Sequence, residues 1–218
     1  MELYLSGGGD EVQSRTLDQK WAEGIGRERP MLYIPIAMDM ARYSLTDCRQ
    51  WINKALNPLG IEKIEVWDES DLKTATEEKL SEFAGIYIGG GNTYKLLHLF
   101  KQFNLTKLFR AVAEDGLPIY GGSAGAIILG CSIATSKDEN EIGLCDLTGL
   151  DLLNGVSIWC HYDPSQDKAI KALQENRSIP IIWALAEGSG VIVADNELKV
   201  VRPDGVEVFD RNEGKMLP

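Results

Sequence analysis

The sequence predicts an α/β fold in which helices cover both faces of a mostly parallel sheet. Short apolar runs alternate with amphipathic segments, as strands and helices do when they take turns along a chain. Three of the apolar runs lead into glycine-rich or small-residue loops, and such loops gather at the carboxyl ends of parallel strands. A chain of 218 residues suffices for one substantial domain, so we expect a single domain over residues 1–218.

The first part of the chain carries the parallel pattern. Its predicted strands are Leu3–Leu5, Met31–Ile36, Ile61–Val66, Ile86–Ile88 and Leu117–Tyr120. The helical patterns between them are Val12–Ile25, Ala41–Leu56, Glu77–Phe83, and Tyr94 to Ala113 with a break near Asn104.

The last third is organised differently. A strand at Val156–Trp159 and a helix at Asp163–Glu175 precede four apolar runs at close intervals, Pro180–Leu185, Gly190–Ala194, Leu198–Val201 and Val206–Phe209. Asp195-Asn196 and Pro203-Asp204-Gly205 are turn signals between the later runs. We therefore expect a short antiparallel C-terminal extension rather than a second domain.

Composition narrows the class of protein. A net charge of −11 argues against nucleic acid or an anionic membrane as a partner. The apolar runs are too short to span a membrane, and no basic segment with a long apolar stretch opens the chain, which favours a cytoplasmic location. The four cysteines are scattered without a Cys-x-x-Cys pair, so we expect no zinc site and no other metal. We also expect no cofactor, since the glycine-rich loops match no nucleotide-binding fingerprint.

The most informative motif is Gly121-Gly122-Ser123-Ala124-Gly125, directly after a predicted strand. The spacing Gly-x-Ser-x-Gly is typical of a nucleophile elbow, a sharp turn that exposes a serine hydroxyl beside a helix N-terminus. The flanking glycines leave room that a strained turn needs. Ser123 is therefore the candidate nucleophile.

A second loop, Gly89-Gly90-Gly91-Asn92-Thr93, suits an oxyanion hole. Acyl transfer needs two N–H donors, one from the residue after the nucleophile, here Ala124, and one from a neighbouring loop, here Gly90 or Gly91. The alternative is a plain strand-to-helix turn with Asn92 or Thr93 as N-cap. Neither this loop nor Ser6-Gly7-Gly8-Gly9-Asp10 matches a dinucleotide or P-loop fingerprint.

A serine nucleophile needs a base and an orienting carboxylate. His161 follows a predicted strand, where a base belongs, whereas His98 lies inside an amphipathic helix. We rank Glu187, just after an apolar strand, first as the acid and Asp138 second. With Glu187 as the acid, the chain order is serine, histidine, glutamate, which differs from that of α/β-hydrolases and indicates another fold.

Together these residues resemble the peptidase E family of serine peptidases, family S51, over nearly the whole chain. The resemblance implies a three-layer α/β sandwich similar to class I glutamine amidotransferase domains. It implies Ser123 as nucleophile, His161 as base, and either Glu187 or Asp138 as the acid. It places the oxyanion hole at the Gly90-Gly91 backbone and the Ala124 N–H group.

The resemblance also bears on the substrate. Members typified by aspartyl dipeptidase are thought to read an N-terminal aspartate with an arginine in the segment after the histidine. Here Gln166 stands about there and Lys168 is the nearby cation, which can balance a carboxylate but not bind it bidentately. We expect a small peptide as substrate, either a dipeptide or a longer chain, with contacts to it from Asn92 and Lys168. Without the arginine, the sequence gives little support for Asp-X specificity.

The sequence is also compatible with two other functions. The first is an amidotransferase-like hydrolase, although such enzymes place cysteine at the elbow. The second is a binding protein that has lost turnover. For each of these functions we expect a monomer or a homodimer.

Overall fold

The computed structural model describes residues 1–194, 197–211 and 214–216, and within them it has eleven strands and eight α-helices. The strands are β1 (Glu2–Ser6), β2 (Met31–Ile34), β3 (Ile64–Val66), β4 (Gly85–Ile88), β5 (Ile119–Gly122), β6 (Val156–Cys160), β7 (Ile181–Leu185), β8 (Gly190–Ala194), β9 (Glu197–Val201), β10 (Val206–Asp210) and β11 (Gly214–Met216). The helices are α1 (Arg15–Gly24), α2 (Leu45–Leu56), α3 (Glu69–Leu72), α4 (Glu77–Ser81), α5 (Thr93–Gln102), α6 (Leu105–Glu114), α7 (Ala124–Leu129) and α8 (Asp167–Arg177).

The main sheet has seven strands in the order β3-β2-β4-β5-β1-β8-β9. Its first five strands in this order are parallel, with Ser6 of β1 opposite Gly122 of β5. Strands β8 and β9 extend it in antiparallel fashion. The predicted mostly parallel α/β architecture is confirmed.

Side chains that alternate along the central strands divide between two buried layers. One layer contains α5, α6 and α7 and takes the strand residues Leu3, Leu5, Leu32, Ile34, Ile86, Ile88 and Ile119. The opposite layer contains α1 and α2 and takes Tyr4, Met31, Tyr33, Tyr87 and Tyr120. Burial of each such side chain contributes roughly 1.5–3 kcal/mol before entropy is counted, so both faces hold the sheet in place.

Polar groups set where the helices begin. In α2, the Ser44 hydroxyl accepts from the backbone N–H of Asp47, and the Asp47 carboxylate accepts from the N–H of Ser44. The helix therefore starts at Leu45, after the predicted Ala41. The predicted break at Asn104 is present, because this residue adopts a left-handed φ of 58° between α5 and α6.

The C-terminal third differs from the predicted short antiparallel extension, because it contributes a second sheet. Strands β6, β7, β10 and β11 form a second, four-stranded sheet in which β6 and β7 are parallel. Helix α8 connects β6 to β7, and a helical crossover is what a parallel pair requires. Side chains of this second sheet, among them Ile158 and Leu185, belong to the same buried layer as Leu3 and Leu5.

Two local expectations from the sequence concern the turns in this region. Pro203–Gly205 forms a 3₁₀ turn before β10. The turn expected at Asp195-Asn196 lies outside the described residues. Among the described residues, no helix combines the length and apolar character needed to cross a lipid bilayer.

Candidate active site

The two sheets meet at the carboxyl ends of β1, β5, β6 and β7. The backbone N–H of Ser123 donates to the carbonyl of Ser6 at 3.2 Å, and that of His161 donates to the carbonyl of Gly7 at 2.9 Å. The N–H of Gly7 in turn donates to Ser189 at 3.1 Å. The glycine loop after β1 thus joins the loop that carries the serine to the two loops of the second sheet.

Ser123 stands at the apex of a strained turn. Its φ of 50° and ψ of −110° lie outside the regions that non-glycine residues favour. A Cβ at Gly121 would lie 2.6 Å from the Ala126 nitrogen, and one at Gly125 would lie 2.2 Å from the Ile88 carbonyl oxygen. Both flanking glycines are therefore required by close backbone contacts, as the Gly-x-Ser-x-Gly motif predicts.

A chain of hydrogen bonds runs from this serine to an acidic residue. The Ser123 Oγ is 2.8 Å from His161 Nε2, and His161 Nδ1 is 3.0 Å from Glu187 Oε1. His161, at a left-handed φ of 53°, follows β6, and Glu187 follows β7. His161 and Glu187 come together because β6 and β7 are parallel neighbours that end at the same edge. Ser123, which follows β5 of the other sheet, reaches them because its loop and that of His161 both bind the end of β1.

The imidazole lies against the glycine loop after β1. A Cβ at Gly8 would lie 2.3 Å from His161 Cε1, and the Gly8 carbonyl accepts from the N–H of Gly188 at 2.8 Å. Sequence reasoning tested this loop only as a nucleotide fingerprint and missed its contact with the ring. The run of three glycines after the first strand was the available signal, since glycine marks close approach of a backbone.

Gln13 is a second residue that sequence reasoning missed. Its Nε2 donates to Glu187 Oε2 at 3.2 Å, while Oε1 of the carboxylate faces the imidazole. Gln13 also holds its own loop, because its Oε1 accepts from the N–H of Asp10 at 2.9 Å. No sequence signal singled it out, since a lone glutamine near a turn is ordinary.

Asp138 has other partners than the histidine. Its Oδ2 accepts from the Thr93 N–H at 2.8 Å, the Thr93 hydroxyl at 2.6 Å and the Ser136 hydroxyl at 2.9 Å. Among the described residues, no hydrogen bond joins it to His161. Asp138 therefore ties its loop to the first turn of α5.

Asn92 also belongs to this junction. Its Oδ1 accepts from the Lys95 N–H, and its Nδ2 donates to the Glu139 carbonyl, both at 2.9 Å. Asn92 is therefore the N-cap of α5, as the alternative interpretation of this loop predicts. Lys168, the other residue expected to contact substrate, lies exposed on α8 and is not among the residues that line the cavity at Ser123.

Candidate oxyanion donors lie next to the serine. A Cβ at Gly90 would be 3.3 Å from Ser123 Cβ, so the Gly90 backbone passes close to the elbow with little room for a side chain between them. Within the described part of the chain, the N–H groups of Gly90, Gly91 and Ala124 donate to no other protein group. The N–H of Ser123 itself is already used by Ser6.

A cavity of about 650 Å³ opens beside the serine. It is lined by backbone of the glycine loops and by a group of aromatic side chains, namely Tyr33, Tyr43, Trp51 and Tyr87. The backbone of Gly90 and Gly91 lines it together with Ser123 and His161, so a molecule bound there would lie against the candidate nucleophile, the candidate base and the glycine backbone.

A cysteine lies beneath the elbow. The Cys160 thiol is fully buried and donates to the carbonyls of Ser123 at 3.5 Å and Ser6 at 3.6 Å. Burial raises its pKa well above the ordinary value. This thiol supports the strained backbone and is not presented to the cavity.

Comparisons with known proteins show the family to which the chain belongs. The model of peptidase family S51 matches residues 3–201. A peptidase E of Shewanella sp. (strain W3-18-1) is 30% identical over 151 residues, which are 64% of this chain and 63% of that protein. The peptidase E of Shewanella oneidensis is 43% identical over 123 residues, 52% of each chain. The aligned segments thus span less than two thirds of these curated relatives.

Solved structures share the fold over more of the chain. A putative peptidase E protein from Listeria monocytogenes EGD-e has a TM-score of 0.69 at 21% identity, covering 91% of this chain and 96% of that one. A peptidase from an acI-B1 actinobacterium has a TM-score of 0.67 at 20% identity, covering 96% and 89%. At these identities the structures show the fold alone.

Proposed function

Since the chain belongs to peptidase family S51, we propose that it is a serine peptidase that hydrolyses small peptides through Ser123, His161 and Glu187. The observation that carries this proposal is the continuous hydrogen-bonded chain from the Ser123 hydroxyl through both imidazole nitrogens to the Glu187 carboxylate. An imidazole in this setting donates from Nδ1 to Glu187, which leaves Nε2 free to accept the serine proton.

The reaction follows from these contacts. The Ser123 oxygen attacks the peptide carbonyl carbon while His161 takes its proton, and a tetrahedral intermediate forms. His161 then gives the proton to the leaving nitrogen, the carbon–nitrogen bond breaks, and the acyl group remains on Ser123. Water, deprotonated by His161, attacks the acyl ester, and the proton returns to the serine as the acid leaves.

The developing negative charge needs donors that are already in place. We assign this role to the N–H groups of Ala124 and of Gly90 or Gly91, because they border Ser123 and donate to no other described group. Backbone donors held by a strained turn do not reorganise as charge develops, so they stabilise the transition state more than the substrate.

Glu187 rather than Asp138 is our choice for the acid. The Glu187 carboxylate meets Nδ1 of the histidine, whereas the hydrogen bonds of Asp138 go to Thr93 and Ser136. The amidotransferase-like alternative would need a cysteine nucleophile, and the Cys160 thiol does not fit that role. It is buried under the elbow, and burial raises its pKa. A binding protein without turnover is the remaining alternative.

Labelling with a fluorophosphonate probe separates these functions. We expect one probe per chain at Ser123, and loss of labelling in His161→Ala. Ser123→Ala should lower hydrolysis of cleaved peptides by on the order of 10⁴–10⁶-fold. Its melting temperature should stay close to that of the wild type, because one hydroxyl at a half-buried turn contributes little packing. Absence of labelling in a folded protein would favour the binding function instead.

A further inference from the structure

The cavity beside Ser123 has an aromatic wall. The rings of Tyr33, Trp51 and Tyr87 contact one another, with centroids 6.1 Å apart for Tyr33–Trp51, 5.5 Å for Tyr33–Tyr87 and 6.2 Å for Trp51–Tyr87. Tyr43 adds a fourth ring that is 38% exposed at the cavity surface. Tyr33 and Tyr87 are buried behind the other two rings, so Trp51 and Tyr43 supply most of the accessible aromatic surface. Packed aromatic side chains have little freedom to lose on binding, which suits an apolar group of the ligand.

The charged side chain that lines the cavity is negative. Among the described residues that line it, Asp47 is the one carboxylate and there is no lysine or arginine. Asp47 Oδ2 accepts from the Ser44 N–H at 2.8 Å and from the Ser44 hydroxyl at 2.7 Å. These hydrogen bonds lower the pKa of Asp47, so its carboxylate is negative at neutral pH. No described residue donates to its Oδ1, which is left to meet a cation.

The nearby cations belong to a neighbouring cavity, which shares Met38, Tyr43 and Gly91 with the first. Arg42 and Lys95 line that second cavity together with Asp39 and Glu141. The Arg42 guanidinium lies 5.2 Å from the centroid of the Tyr43 ring, and the Lys95 ammonium donates to the Met38 carbonyl at 3.0 Å. Their charge is offset by two acids, so this second cavity is not simply a site for a carboxylate.

We propose that the aromatic wall and Asp47 select peptides with a free N-terminal amine and a large apolar, preferably aromatic, first residue. In this arrangement the wall takes the first side chain, Asp47 takes the α-ammonium group, and Ser123 attacks the carbonyl that follows. The inference rests on the proposed peptidase function and names the substrate class for it.

Charge decides which side of the scissile bond occupies this cavity. The acyl residue of a short peptide brings an ammonium group, which Asp47 attracts. The C-terminal residue of a dipeptide instead brings a carboxylate, which Asp47 repels and which no lining cation among the described residues would balance. The same argument disfavours an N-terminal aspartate, because its side chain would face the acid and the aromatic wall.

A panel of X-p-nitroanilides with X as Phe, Leu, Ala, Lys and Asp tests the side-chain preference. We expect kcat/KM for Phe to exceed that for Ala by about 10–100-fold, since an apolar side chain that fills a pocket gives discrimination of this order. We expect Asp to be the poorest of the panel. Faster cleavage of the Asp substrate than of the Phe substrate would overturn the proposal and point to Arg42 and Lys95 as the specificity determinants.

The variant Asp47→Asn tests the ammonium contact. Asparagine keeps an oxygen for the hydrogen bonds from Ser44 but has no charge, so the start of α2 is retained. Because Asp47 is exposed, we expect Phe-p-nitroanilide to lose about 3–5-fold in kcat/KM, the loss typical of an exposed charge pair. N-acetyl-Phe-p-nitroanilide, which lacks the ammonium, should change less than about 1.5-fold.

Asp71→Asn is the matched control. Asp71 occupies the same capping position at the start of α3, where its Oδ2 accepts from the Asp68 N–H at 3.0 Å, and it does not line the cavity. The ratio of free-amine to acetylated activity should fall in Asp47→Asn and stay unchanged in Asp71→Asn. An equal loss on both substrates in Asp47→Asn, or no loss on either, would overturn the assignment of Asp47.

The outcomes also separate the two proposals. If a panel member other than those with large apolar residues is cleaved best, and Ser123 is labelled, the peptidase function stands and the specificity inference fails. If no panel member is cleaved and Ser123 takes no fluorophosphonate label, both fail.

Discussion

The loops that carry Glu187 and Asp138 both end near the candidate site, yet their carboxylates have different partners. Glu187 follows β7, is half exposed, and accepts hydrogen bonds from an imidazole and from the Gln13 amide. Asp138 follows the 3₁₀ turn Ile133–Thr135 and accepts three hydrogen bonds from Thr93 and Ser136. One carboxylate faces the candidate general base, and the other holds a helix start in place.

This difference has a topological cause. His161 and Glu187 follow parallel neighbours of the second sheet, so the ends of β6 and β7 deliver both residues to one point. Asp138 instead lies close to α5, whose first turn needs an acceptor for its free N–H groups. Two acids that look equivalent in sequence therefore separate into a candidate orienting group and a capping group.

Among the variants that test this comparison of the two acids, Glu187→Gln has the largest expected effect. An amide at this place removes the negative charge that would stabilise the protonated imidazole and fix its tautomer, so we expect kcat to fall by roughly 10²–10⁴-fold. Steady-state kinetics on the best substrate of the panel gives the measurement, and thermal melting should show a small change because the side chain is half exposed. If turnover survives within about threefold, Glu187 does not orient the base.

The sequence predicted much of this arrangement, because its signals are local. Periodicity located the parallel strands, and the small-residue motif located the turn at Ser123, since each depends on neighbours along the chain. The four-stranded second sheet was missed, because strand pairing across distant segments is set by tertiary contacts that periodicity does not record.

The same limit applies to the site. Ser123, His161 and Glu187 were chosen because each follows a strand end, and the ends of parallel strands meet. The contacts of Gly8 with the imidazole and of Gln13 with Glu187 depend on how two sheets come together. The three glycines after β1 signal a close approach of the backbone but not its partner, and no local pattern marks Gln13. Lys168 was chosen by its distance in sequence from His161, and α8 carries it away from the cavity lining.

A third acid, Asp18, is buried and does not line the cavity at Ser123. Its titration would overlap with the pH dependence of activity that one would assign to the site. Asp18 in α1 accepts a hydrogen bond from the Tyr120 hydroxyl at 2.9 Å, and burial raises its pKa from 3.8 to about 7. Changes of activity near neutral pH are commonly attributed to a catalytic histidine. Here a change in stability through Asp18 would fall in the same range.

The variant Asp18→Asn separates the two effects. The folded state holds the Asp18 proton more tightly than the unfolded state, so this group's stabilisation is complete below about pH 4 and is lost as pH rises to about 7. The difference between the two pKa values, about 3, corresponds to at most about 4 kcal/mol. We expect urea unfolding of Asp18→Asn between pH 4 and 8 to show a flatter profile than the wild type and higher stability above pH 7. An unchanged slope would mean that Asp18 does not titrate there.

The smallest effect is expected for Asp138→Asn, and it is the other half of the comparison. Asparagine can still accept one hydrogen bond from Thr93, but it loses the charge that strengthens the contacts to the first turn of α5. We expect a loss of about 1–3 kcal/mol in the free energy of unfolding, with kcat reduced by less than about tenfold in the folded fraction. Asp138→Asn should therefore lower mainly stability, whereas Glu187→Gln should lower mainly turnover.

A loss of turnover in Asp138→Asn as large as in Glu187→Gln, at unchanged stability, would instead place Asp138 next to the histidine during the reaction. The loop 136–139 would then have to leave Thr93 to reach the imidazole.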